Sequence, residues 1–138
     1  MRAGDVARRV VLFACLLALA AAGCGTGERA DDAAAVTGRF HAALEAKDGH
    51  AACEELSEEN ASKLEQEEGK PCEEAVLELD LQKGGTVAVR RVEMRSAYTS
   101  LAEGGTDFLD EGPEGWKISA AGCEPTAPGQ PYDCELEG

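Results

Sequence analysis

Two histidines, six cysteines and 27 aspartates and glutamates are the groups in this 138-residue chain that could do chemistry. Their spacing excludes more than it offers. A serine-hydrolase elbow reads Gly-x-Ser-x-Gly, and no such run occurs. His41 follows Phe40 in a helical stretch, where a position at the edge of the core is expected, and His50 opens a short helix and is expected in solvent. Gly23-Cys24-Gly25-Thr26-Gly27 has the glycines of a phosphate loop, but no strand precedes it. No Asp-x-Asp-x-Asp-Gly loop exists to converge oxygens on calcium. Cys53, Cys72, Cys123 and Cys134 lack Cys-x-x-Cys spacing, and no set of histidines lies beside them to complete a zinc site. The carboxylate runs Glu54-Glu55, Glu58-Glu59, Glu65-Glu67-Glu68 and Glu73-Glu74 read as a solvated face, with a docking surface for a basic partner as the sharper alternative. No cofactor or metal is expected.

The N-terminus carries an address. Arg2, Arg8 and Arg9 precede the apolar run Val10 to Ala22. Thirteen residues of helix make about 20 Å, short of the roughly 30 Å that a membrane span requires. A basic start, a short apolar middle and a small-residue end are the parts of a secretory signal. Arg8-Arg9 suits the general export route, with the twin-arginine route as the alternative. Ala21-Ala22-Gly23-Cys24 resembles the lipobox of bacterial lipoproteins, with Ala21 where Leu is commonest. The resemblance implies cleavage before Cys24 and a diacylglyceryl group on its sulfur. The chain then divides into a signal peptide at 1–23, a flexible tether at 24–32 and one domain at 33–138. It is expected to be exported and held at the outer face of the cell membrane by its acyl chains.

Charge and cysteines bound the rest. The net charge of −14 argues against a nucleic-acid partner, because phosphate binding needs Lys and Arg. Without residues 1–23 the chain has 10 basic and 26 acidic residues and only 17 Leu, Ile, Val and Phe. That balance is too polar for an ordinary core, so cross-links are required. With Cys15 lost in the signal and Cys24 acylated, four cysteines remain, an even set in an oxidising space. Three pairings exist. Cys53–Cys72 and Cys123–Cys134 are the expected ones, because each closes a local loop.

The elements that must position these groups fall in two halves. Asp31-Asp32 caps a helix running to about Lys47, with Val36, Phe40, Ala43 and Leu44 on one face. Asp48-Gly49 breaks it, a short helix holds Cys53, Ser57 caps a third ending near Gly69, and Pro71 opens a fourth running to about Leu81. From Gly84-Gly85 the period becomes that of strands: Thr86–Met94 with a bulge at Arg90-Arg91, Ala97–Leu101, Thr106–Leu109 and Trp116–Ala120. After Cys123 the prolines at 125, 128 and 131 predict an irregular tail. The fold class is α+β, N-terminal helices on a curved antiparallel sheet of about four strands.

Phe40-His41-Ala42-Ala43-Leu44, Asp48-Gly49, Gly69-Lys70-Pro71-Cys72 and Gly115-Trp116-Lys117-Ile118 with Ala121-Gly122-Cys123 resemble a group of small lipoproteins of high-GC Gram-positive bacteria. Their domain is similar to the nuclear-transport-factor-2-like (cystatin-like) cone. The resemblance implies a helical layer packed in a bent sheet, with Phe40, Leu44, Tyr98, Trp116 and Ile118 lining a pocket or the core. Cone domains include isomerases and cyclases, for which Tyr98, Asp107, Asp110 and His41 would be the available groups. Asp107 and Asp110 flank Phe108-Leu109 close to a turn and are expected in solvent. The preferred expectation is a non-enzymatic, lipid-anchored domain that binds a small ligand or an envelope partner. The alternatives are a cyclase or isomerase acting on a small apolar substrate, and an acidic module holding a basic envelope protein.

Overall fold

A computed structural model describes residues 25–138; residues 1–23, where a signal peptide is expected, and Cys24 lie outside the described residues. Apolar residues at helical spacing dictate the first layer. Helix α1 (Gly25–Ala46) buries Ala33, Val36, Phe40, Ala43 and Leu44 along one face. It ends where Lys47 takes a positive φ and Asp48 caps α2 (Gly49–Glu55) by accepting from the Ala51 amide at 3.0 Å. Ser57 caps α3 (Glu58–Glu68) through the Asn60 amide, and Gly69 closes it in the left-handed conformation that glycine adopts without penalty. A single turn, α4 (Cys72–Ala75), follows Pro71.

Strands β1 (Val87–Glu93), β2 (Ser96–Leu101), β3 (Thr106–Gly112), β4 (Gly115–Glu124) and β5 (Asp133–Glu137) form one antiparallel meander in that order. Leu56 adds an isolated parallel bridge to Ile118. The helices cover one face of this curved sheet. Phe40, Leu44, Leu64 and Val76 pack there against Leu109, Trp116, Ile118, Ala121 and Leu136. The α+β class holds.

Both disulfides have the expected pairing. Cys53–Cys72 ties α2 to α4, and Cys123–Cys134 joins residues that face each other across β4 and β5.

Several expected boundaries are corrected. The tether at 24–32 is helical from Gly25 onward, because Arg29 is held by tertiary contacts: its guanidinium donates to the Met94 carbonyl and Glu111, and sits 5.4 Å from the Trp116 ring centre. A fifth strand replaces the irregular tail. Its own residues contain no proline, it buries Leu136, and Cys134 pins it in register. The fourth helix stops at Ala75 instead of reaching Leu81, leaving Leu79 only partly buried. Pairing through Arg90↔Thr99 and Arg91↔Tyr98 is regular, and the strand irregularity lies earlier, between Val87 and Val89.

Candidate functional site

Thr37 and His41 stand one turn apart on the inner face of α1, interrupting an otherwise apolar stripe. Across from them, Thr99 and Asp107 are register partners on β2 and β3. The four side chains form a buried polar seam between helix and sheet. The Thr37 and Thr99 hydroxyls meet at 2.7 Å. His41 and Asp107 are 1% and 2% exposed, with Nε2 2.6 Å from Oδ2. On the other side of the ring, Nδ1 lies 2.5 Å from the carbonyl oxygen of Gln82. The second oxygen of Asp107 accepts from the Gly122 amide at 3.0 Å.

With Asp107 as a carboxylate, this arrangement favours one protonation state of His41. A carbonyl and a carboxylate can only accept, so an imidazole bonded to both must donate from both nitrogens and is an imidazolium. Burial disfavours that charge; the hydrogen bond and negative charge of Asp107, with the Gln82 carbonyl, outweigh burial and hold the His41 pKa above the usual histidine value. The pair ties α1, the segment before β1, β3 and β4 into one node.

The node forms the floor of a cleft of about 400 Å³. Its charged lining is the His41 imidazole and six carboxylates, Asp80, Glu103, Asp107, Glu124, Asp133 and Glu135; no lysine or arginine among the described residues lines it. Two of these are also anchors for the backbone: Glu135 accepts from the Asp80 amide and Glu103 from the Thr86 amide. Among the described residues, no group of three or more His, Cys, Asp or Glu is arranged to hold a metal ion.

The sequence-derived candidates separate. Asp107 and His41, expected near solvent or at the core edge, are buried and joined, because register places Asp107 inward opposite Thr99. Phe40, Leu44, Trp116 and Ile118 are packed core residues, and none lines the cleft. Tyr98 belongs to neither: it alternates away from buried Ala97 and Thr99 and groups with Phe108 and Tyr132, ring centres 6.4 and 5.1 Å apart in succession. Asp110 is exposed and accepts from Ser96, and His50 is exposed as expected. Sequence reasoning missed Thr37, Thr99 and Gln82. The one available signal was Thr37 and His41 four apart on an apolar helix face.

Among the described residues no helix is long and apolar enough to cross a membrane. No protein-family model, curated protein or solved structure matches the chain.

Proposed function

We propose that this chain is an extracytoplasmic binding domain, anchored to the outer face of the membrane by acylated Cys24, whose cleft takes up a cationic group. One observation carries the reading of the site. A concave surface with six carboxylates, one of them paired with the His41 imidazolium, and no lysine or arginine among the described residues favours ammonium or guanidinium ligands and repels anions. The packing of helices into a curved sheet supports the cone-type reading of the domain, with the cavity at one end of a solid interior.

A binding role fits the chemistry better than catalysis. His41 spends both ring nitrogens on Gln82 and Asp107, and Asp107 spends one oxygen on His41 and the other on Gly122. Such groups are occupied in holding the floor together and have no lone pair directed at a substrate. The signal-like N-terminus and the two disulfides support an exported setting.

The cation is carried either by a small polyamine or by a lysine- or arginine-rich segment of an envelope protein. Titration calorimetry of the full oxidised chain with spermidine and with a short oligolysine peptide separates these sources. Binding that weakens with salt is expected for one of them, and Glu103→Gln combined with Asp133→Asn should weaken it about tenfold. Binding of neither, or binding indifferent to salt and to both substitutions, would refute the cleft as a cation site. Intact mass of protein extracted from membranes tests the anchor: acyl mass on a chain starting at Cys24 is expected.

A further inference from the structure

Among the described residues, His41 is the one side chain lining the cleft that carries positive charge, and it lies in the floor. With Asp107 as a carboxylate, Nδ1 donates to the Gln82 carbonyl and Nε2 to Asp107. The groups around the ring come from every element packed there. On α1, Thr37 and Phe40 are uncharged neighbours, and Glu45, one turn on, holds its carboxylate where a Cβ on Gly84 would meet it. The segment before β1 supplies the Gln82 carbonyl and Asp80. The β2–β3 turn supplies Glu103, and β3 supplies Asp107. Glu124 comes from β4, and Asp133 and Glu135 from β5. Lys83, next to Gln82, is exposed and does not line the cleft.

A cleft lined by carboxylates thus already contains one cation. The imidazolium neutralises Asp107 and repels any ammonium or guanidinium that enters. A cleft of about 400 Å³ is about 9 Å across, so a cation inside it is within about 10 Å of the floor. At that distance and an effective dielectric of about 20, the cation lowers the proton affinity of the ring roughly tenfold. A neutral ring has one hydrogen for two acceptors, so either the Gln82 carbonyl or Asp107 Oδ2 loses its donor. An N–H of a cationic ligand can take the place of that donor.

We infer that the cleft exchanges a proton on His41 for its cationic ligand: cation entry releases the ring proton to solvent, and the protonated ring is a built-in competitor that weakens uptake. The inference rests on the cation-site reading of the cleft. Linkage gives the sign. Binding disfavours the charged ring, so by reciprocity binding tightens as pH rises through the range where His41 titrates. Burial opposes the charge, but Asp107 and the Gln82 carbonyl outweigh it and place that range above the ordinary histidine value of about 6.5.

Calorimetry of the full oxidised chain with acetylated tri-arginine amide, between about pH 6 and 9.5, tests it, because the guanidinium groups of the peptide stay charged throughout. Affinity should rise roughly tenfold across the range. The heats in phosphate and in Tris at one pH should differ by the ionisation of the released proton. In nuclear magnetic resonance, added peptide should move the His41 ring titration to lower pH, with the exposed His50 ring as internal reference. Asp107→Asn leaves His41 a neutral ring, so its peptide affinity should not vary with pH. Four results would each overturn the inference and leave the cation site standing: binding indifferent to pH, no proton release, a His41 ring protonated throughout with and without peptide, or an equal pH dependence in Asp107→Asn. Absence of peptide binding counts against the cation-site reading alone. Asp133→Lys, which fixes an ammonium in the cleft wall, then decides the coupling: a His41 titration at lower pH than in wild type supports it, and an unchanged one overturns it.

Discussion

Removing the Asp107 side chain leaves the His41 imidazole buried beside the Gln82 carbonyl with no counter-charge and a hole in the seam. Asp107→Ala should therefore cost about 3 kcal/mol in urea denaturation. Asp107→Asn should cost much less: a carboxamide donates to the lone pair of a neutral imidazole and still accepts from Gly122. The two variants also differ in pH dependence. The folded His41 pKa lies above its unfolded value, so its contribution is fully present below the unfolded pKa of about 6.5 and lost as pH rises through the folded value. The wild-type urea midpoint should fall on the alkaline side of that window, and Asp107→Asn should remove that decline. An equal decline in both proteins would refute the ion-pair account of the node. Next to it, Thr37→Val strands the Thr99 hydroxyl and should cost about 1–3 kcal/mol, whereas Thr37→Val/Thr99→Val should recover most of that loss.

At the scale of elements, the helical half is set by local signals. Ser57 caps α3 with its hydroxyl, so Ser57→Ala should lower the urea midpoint by an amount equivalent to about 1 kcal/mol. Gly49 is constrained more severely. A Cβ there would lie 1.8 Å from the Glu73 carbonyl oxygen, so even alanine would force α2 and α4 apart. Gly49→Ala should be among the most destabilising single changes, by about 3 kcal/mol or more, and should slow oxidation of Cys53–Cys72, measured by thiol titration during refolding. In the sheet half, register decides more than propensity. Asp107 turns inward because it pairs with Thr99, and β5 exists because Cys134 and Leu136 each have an inward partner on β4.

The whole molecule is a thinly hydrophobic, strongly acidic chain closed by two cross-links. Loops of 19 and 11 residues' separation each correspond to about 3 kcal/mol on a chain-entropy argument, against a typical total of 5–15 kcal/mol. Reduction should bring the urea midpoint down steeply and leave most of the chain unfolded at 37 °C, as followed by far-ultraviolet circular dichroism. A reduced protein with an unchanged midpoint would show that the core suffices by itself.

Composition and local pattern were enough to determine the class of fold, the break at Asp48-Gly49, the Ser57 cap and the helix end near Gly69, the inner face of α1, most strand positions and the cysteine partners, because these depend on neighbours a few residues apart. Tertiary structure decided the rest. Residues 25–32 are helical because Arg29 reaches groups 65 and 82 residues away. His41 and Asp107, 66 residues apart, look like edge and turn residues in isolation. Only the docking of α1 across β2 and β3 removes both from water together, and the cost of burying either alone is what makes the pair a single node.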